Sequence, residues 1–359
     1  MDSIISTNQV IINSLMLNAS FIDNIGLLNG KMGIAICFFQ LARTTNESVY
    51  YDYAGELIDE IYDELSIETT LDFENGLAGI GWGIEYLVQN GFLEADTNEV
   101  LEEFDNRLYN ELNLNPSQEI GLLKGIIGLG IYFLTRIPTK ISLSEKKVSI
   151  ASEALIQIIE MLDYRVKDIS NMIYEESTYS MAQNKSKFFD ITWDYSSLLW
   201  FCSELLQKDI ASIDVENIIE RLIEPLDENR SKLTNPKRLL ISITLLKLKE
   251  ALKNRERNQS RSGCKILNIE KLNKIVQEFL AEEASENVKS PYPINNASFR
   301  YGTSGIAFIH RQIQLIKGDY HFKNDQHFLE QGINNFDFEN PNAFGLMEGL
   351  AGIILIHQL

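Results

Sequence analysis

One short pattern recurs five times along the chain: G-x-x-G, then an apolar residue, then an apolar run of helical length. The copies are Gly30-Lys-Met-Gly33-Ile34, Gly76-Leu-Ala-Gly79-Ile80, Gly125-Ile-Ile-Gly128-Leu129, Gly302-Thr-Ser-Gly305-Ile306 and Gly349-Leu-Ala-Gly352-Ile353. Three share a longer head: Gly26-Leu-Leu-Asn-Gly30, Gly121-Leu-Leu-Lys-Gly125 and Gly345-Leu-Met-Glu-Gly349. A pattern repeated at this scale means one supersecondary unit stacked on copies of itself, which constrains the fold more than composition can.

The steps are 46 residues (Gly30 to Gly76), 49 (Gly76 to Gly125) and 47 (Gly302 to Gly349), but 177 from Gly125 to Gly302. That gap holds three steps of 59, so two repeats without glycines are expected inside it, seven in all. The candidates are the apolar stretches Ile191–Cys202 and Thr234–Leu246.

Between the glycine segments lie stretches with apolar residues at i, i+3 and i+4 and acids elsewhere, the pattern of a helix with one buried face. Leu57, Ile58, Ile61, Tyr62 and Leu65 form one stripe, and Val100, Leu101, Phe104, Leu108 and Leu112 another. Stripes at Leu155–Leu162, Ile218–Leu226 and Leu272–Phe279 continue the series, and 9–17 and 321–336 complete seven. Alternating β-type patterning is nearly absent, so the expected class is all-α. Each repeat is a polar-faced outer helix followed by an inner helix apolar all round, and the whole is an α/α toroid of about seven hairpins forming one domain over residues 1–359.

Glycine in a helix costs about 0.5–1 kcal/mol relative to alanine, so the motif needs a compensating reason. Two fit: close approach of backbones in a tightly packed inner ring, or an anion cradle at a helix N-terminus. No copy has the Lys-Ser/Thr tail of a P-loop or follows a strand, which favours packing.

Composition narrows the function. With 51 acidic and 32 basic residues the net charge is −19, which excludes general nucleic-acid binding and attraction to anionic membranes. The three cysteines, Cys37, Cys202 and Cys264, lie far apart without a CxxC, so a disulfide framework is not expected and a reducing cytoplasmic setting is. No apolar run reaches a membrane span. One stretch breaks the acidic pattern: Arg230 to Lys265 holds eleven Lys/Arg and two Glu. Its later part, Lys249–Lys265, reads as a solvated loop in which Arg255, Arg257 and Arg261 are candidates for docking an acidic partner.

Gly76-Leu-Ala-Gly-Ile-Gly-Trp-Gly83, Gly121-Leu-Leu-Lys-Gly-Ile-Ile-Gly128, Arg300-Tyr-Gly-Thr-Ser-Gly305 and Gly345-Leu-Met-Glu-Gly-Leu-Ala-Gly352 resemble the lanthionine synthetase C-like family over essentially the whole chain. The resemblance implies an α/α toroid. It also implies a zinc ion held by two cysteines and a histidine, which activates a cysteine thiol for addition to a dehydrated Ser or Thr. The family's Cys-His-Gly falls on Arg300-Tyr301-Gly302, and its Trp-Cys-x-Gly falls near Leu233–Arg238, where no cysteine occurs. The histidine of its Trp-Ala-His-Gly aligns with Tyr195, and its third-repeat aspartate with Gly121, although Glu119 stands two positions upstream. No metal and no other cofactor is therefore expected. Cys37 and Cys202 read as core residues, and so do His310 and His357.

What remains is a set of groups near the glycine ends: Glu74, Trp82, Asp190, Trp193, Asp194, Tyr195, Arg300, Tyr301 and Glu348. If they line a cavity, they suit either of two functions. The favoured one is a zinc-less pseudoenzyme that binds or scaffolds a peptide or protein partner in modified-peptide biosynthesis. The other is a metal-free toroid enzyme, such as a glycoside-processing one, using the carboxylates.

Overall fold

The computed structural model describes residues 2–115, 119–137, 149–179, 189–229, 233–258, 269–285, 297–318 and 344–358, without the side chains of 2–8, 169–179, 256–258, 282–285 and 356–358. Among them every regular element is a helix. In chain order these are α1 (Asp2–Asn18), a short 3-10 turn at Ala19–Phe21, α2 (Lys31–Thr45), α3 (Ser48–Glu64), α4 (Leu77–Gln89), α5 (Thr97–Val100), α6 (Glu102–Leu114) and α7 (Ile126–Thr135). They continue with α8 (Ile150–Tyr179), α9 (Asp194–Gln207), α10 (Ser212–Asn229), α11 (Asn235–Asn258), α12 (Ile269–Ser285), α13 (Thr303–Lys317) and α14 (Leu350–Gln358).

The chain forms two compact units. The first holds Met1–Arg136, Asn295–Ala307 and Gln326–Leu359, the second Ile137–Ile294 and Phe308–Asp325. In the first, α2, α4 and α7 are buried over most of their circumference, as their continuous apolar runs require. Here α4 packs between α2 and α7, and α2 also packs on α14. The first and last glycine repeats are thus neighbours, with the Cys37 thiol 3.6 Å from the Ala351 carbonyl across 314 residues of sequence. The amphipathic α3 turns Tyr50, Ala54, Leu57 and Ile61 inward, at the 4-3-4 spacing of one helix face. In the second unit α9 packs on α11, α8 on α10, and α12 on α11.

Three details differ from the sequence expectation. Tyr62 belongs to the apolar stripe of α3 but is 78% exposed, because the buried face runs through Tyr50, Ala54, Leu57 and Ile61 and Tyr62, one residue on, is turned about 100° away from Ile61. The stripe beginning at Val100 is broken: Asp96 caps the one-turn α5 through the Asn98 amide, and a new helix starts at Glu102, leaving Val100 outside. The basic stretch read as a loop from Lys249 is helical as far as Asn258, because α11 runs through it. The outer helix expected at 321–336 lies outside the described residues.

Candidate functional site

The glycine heads of the first unit share one geometry. The leading amides of each inner helix donate to carbonyls seven residues back in its own loop. Lys31 N–H bonds Asn24 O at 2.8 Å, Leu77 bonds Thr70 at 2.8 Å and Ile126 bonds Glu119 at 3.1 Å. Met32 bonds Ile25 and Ile127 bonds Ile120 in the same way one residue on. These are the donors that an anion cradle would need, and the loop has taken them. The glycines serve close approach instead. A methyl on Gly79 would lie 2.1 Å from the Phe73 carbonyl oxygen, and on Gly33, Gly128 and Gly352 it would lie 2.1, 2.2 and 1.9 Å from the oxygens of Leu27, Leu122 and Leu346. The first glycines of the motif have φ of −127° (Gly30), −109° (Gly76) and −105° (Gly125), so space and not handedness demands the residue.

Successive loops are joined through backbone groups at one equivalent position, two residues ahead of each G-x-x-G. Arg300 N–H donates to Met347 O at 2.7 Å, Met347 to Leu28 at 2.9 Å, Leu28 to Glu74 at 3.0 Å, and Glu74 to Leu123 at 3.0 Å. Five loops of the first unit thus form one hydrogen-bonded series.

Several of the candidate side chains sit on this series. The Arg300 guanidinium lies 3.6 Å from Glu348 and stacks 4.6 Å above the Tyr301 ring. Glu74 accepts from Asn29 Nδ2 at 3.3 Å, and Asn29 is itself buried. Trp82, on α4, stacks on Tyr86 at 5.3 Å with its edge toward Phe73 of the second loop. These five candidates belong to the first unit.

Asp190, Trp193, Asp194 and Tyr195 belong to the second unit and have a different character. Asp190 Oδ1 accepts from the Thr192 amide at 2.9 Å and its hydroxyl at 2.7 Å, which closes the turn into α9. Trp193 is buried, stacked on Tyr195 at 5.3 Å, and carries the buried Lys237 ammonium 4.7 Å above its ring. Tyr195 does not line an open cavity: it is fully buried and its hydroxyl donates to the Leu222 carbonyl of α10. Burial holds its phenol well above the ordinary range.

Arg255, read as a docking cation, is drawn inside the second unit by Glu216 and by Asp209 at 3.5 Å. The Arg257 side chain and all of Arg261 lie outside the described residues.

The remaining chemistry-bearing groups are held in the core. Burial raises the Cys37 thiol and pushes Cys202 up to about 12, so neither is a ready thiolate. Burial also lowers His310 to about 3, which keeps its imidazole neutral. Cys264, His321 and His327, and the His357 side chain, lie outside the described residues. Among the described residues no three His, Cys, Asp or Glu are grouped so as to hold a metal ion. No helix among them is long and apolar enough to cross a membrane.

The sequence reading passed over Asn29, Lys31 and Lys237. Lys31 was visible as a charge inside an otherwise apolar motif, and its buried ammonium pairs with Glu60 at 2.8 Å and Glu64 at 2.5 Å from α3. Lys237 sits in a repeat without glycines, where no pattern marked it.

A family model described as lanthionine synthetase C-like protein matches residues 22–235. No curated protein sequence matches the chain. Among solved structures the chain is similar to a nisin cyclase, at a TM-score of 0.64 and 15% identity, over 100% of this chain and 94% of that one. A likeness at this identity shows the fold: all-α, of the lanthionine synthetase C-like toroid class.

Proposed function

The chain belongs to the lanthionine synthetase C-like family, and from that membership we propose that it is a zinc-less member, a cytoplasmic peptide-binding or scaffolding component of modified-peptide biosynthesis built as one toroid domain. The observation that carries this reading is the pair Arg300 and Tyr301, at the place where the family resemblance puts a cysteine and a histidine. A guanidinium offers N–H donors and no lone pair, so it cannot ligate a cation. Stacked on Tyr301 and paired with Glu348, it puts positive charge at the position where the family resemblance expects a zinc ligand. The described residues do not fit a Cys2His centre: their cysteines, Cys37 and Cys202, are fully buried, and no three His, Cys, Asp or Glu among them are grouped so as to hold a metal ion.

The same geometry favours peptide binding over carboxylate catalysis. Glu348 is engaged by Arg300, Glu74 by Asn29, and Asp190 by its own turn. Each has a local partner that accounts for its presence. A nisin cyclase shares the fold, and a peptide partner is the coarse expectation that family membership brings.

The test uses a fluorescent synthetic peptide bearing one dehydroalanine and one cysteine, incubated with the purified protein with and without added zinc. Saturable binding with full retention of the free thiol is expected. Thioether formation would overturn the pseudoenzyme reading, and absence of binding would overturn the peptide-binding one.

A further inference from the structure

Three of the most exposed large apolar side chains of the first unit lie at the same end of successive repeats. Phe21 is 84% exposed, Ile67 89% and Leu114 77%. Each stands where an outer helix gives way to a glycine loop: Phe21 and Ile67 nine residues ahead of Gly30 and Gly76, and Leu114 eleven ahead of Gly125. The loops they precede are bonded to one another through Leu28, Glu74 and Leu123, which puts the three side chains on the same rim of three neighbouring repeats.

At Ile67 the exposure is built in. Arg107 of α6 donates to three carbonyls of the Ile67 loop, those of Ser66 (3.3 Å), Ile67 (3.0 Å) and Thr69 (3.3 Å), and so fixes the backbone that holds Ile67 outward. A single exposed apolar side chain is ordinary, but large ones repeated on the same rim of neighbouring repeats and flanked by charge mark an interaction surface. The charge around it states what kind of partner that is. Exposed acids follow each apolar residue, Asp23 after Phe21, Glu68 after Ile67 and Glu119 after Leu114; among the described residues of the three connections the exposed cation is Lys124, and the Arg107 guanidinium beside Ile67 is taken up by the loop carbonyls.

We infer that this rim is a docking surface for a peptide segment that combines aliphatic or aromatic side chains with Lys or Arg. The inference rests on the peptide-binding reading above and names the chemistry of the segment and the face that receives it. A second copy of the chain would bring the same acids to a symmetric contact, and an anionic lipid surface would be repelled by them. A cation-bearing amphipathic segment satisfies both the apolar and the acidic halves of the rim.

The test compares the wild type with the triple variant Phe21→Ser, Ile67→Ser, Leu114→Ser, whose exposed sites leave the melting temperature nearly unchanged. Fluorescein-labelled peptides of Leu and Lys, of Ser and Lys, and of Leu and Glu are titrated by anisotropy. The Leu-Lys peptide is expected to bind the wild type, with affinity about tenfold lower or worse for the triple variant and for the two other peptides. Equal affinity of the variant, equal affinity of the Leu-Glu peptide, or no saturable binding of Leu-Lys would overturn the proposal. So would a wild-type dimer in sedimentation that the variant dissolves, or vesicle pelleting that the variant loses. If Leu-Lys is ignored while the dehydroalanine peptide still binds, the rim is wrong and the peptide-binding reading stands; if neither binds, both fall.

Discussion

The amide of Leu28 donates to the carbonyl of Glu74 at 3.0 Å, and Glu74 occupies in the second glycine loop the place that Leu28 occupies in the first. Residues of opposite character play the same part because only their backbones are used. This relation, repeated from Arg300 through to Leu123, is what the glycines permit, since a loop carrying Cβ atoms at those positions would be held away from its neighbour.

The contact is testable at Gly26, where a methyl would lie 2.3 Å from the Asn75 Cα in the neighbouring loop. Backbone cannot yield as a flexible side chain does, so Gly26→Ala is expected to lower stability by about 2–3 kcal/mol. Gly55 in α3 is the control: nothing lies within 4 Å of its missing Cβ, and Gly55→Ala should raise stability by about 0.5–1 kcal/mol. Urea midpoints of the two variants read both signs.

Arg136 ends α7 in a buried cluster, with Glu85 at 2.7 Å and Asp105 at 3.0 Å, while Tyr132 donates to Asp105 at 2.6 Å. The Arg136 and Glu85 side chains are 6% and 9% exposed. Removing the cation strands two carboxylates in low dielectric, and Arg136→Met is expected to cost about 3–5 kcal/mol. Arg221, paired with Asp163 at a site well open to water, supplies the comparison: Arg221→Met should change stability by less than about 1 kcal/mol. Equal losses in thermal melts would contradict the assignment.

The features readable from sequence were those written in side chains. The apolar period located the inner and outer helices, and the glycine spacing located the loops. The loop series was legible only in part: Leu28, Leu123 and Met347 fall at one place in the shared longer head, but Glu74 and Arg300 hold the same place without it, because the contact uses backbone groups alone. Tyr195 was read as a cavity residue from its alignment with a histidine, yet a phenol on an apolar helix can reach back to a carbonyl of the helix behind it, as it does at Leu222. Arg255 was read as a loop cation from the polar run around it. Arg, Glu and Lys are good helix formers, however, and the pairing with Glu216 draws this turn of α11 inward.

His310 gives a dependence on pH. Its folded value, about 3, lies below the ordinary 6.5 because burial disfavours the charged ring. Between these values the unfolded chain binds a proton that the folded one does not. The contribution is therefore fully present above pH 6.5 and is lost as pH falls toward 3, at about 1.4 kcal/mol per unit. In His310→Gln that slope is absent, so the stability difference between wild type and variant should shrink steadily on acidification. Parallel curves from denaturant titrations at several pH values would refute this.

The turn from α9 to α10 stores backbone strain at one residue. Asp209 (φ 55°) and Ala211 (φ 42°) both lie in the left-handed region, but only Asp209 is repaid, by the Ser212 hydroxyl that donates to its carboxylate and by Arg255 at 3.5 Å. Ala211 has a Cβ that crowds its own carbonyl in this conformation and no side-chain group to offset the cost, about 1–2 kcal/mol for a non-glycine residue. Replacing it with glycine removes the crowding while adding freedom to the unfolded chain, so Ala211→Gly should gain about 0.5–1 kcal/mol net. Asp209→Gly should gain nothing or lose stability, because it removes the carboxylate that holds Arg255 beside Glu216. Midpoints moving in the same direction for both variants would mean that the Asp209 contacts do not hold this turn.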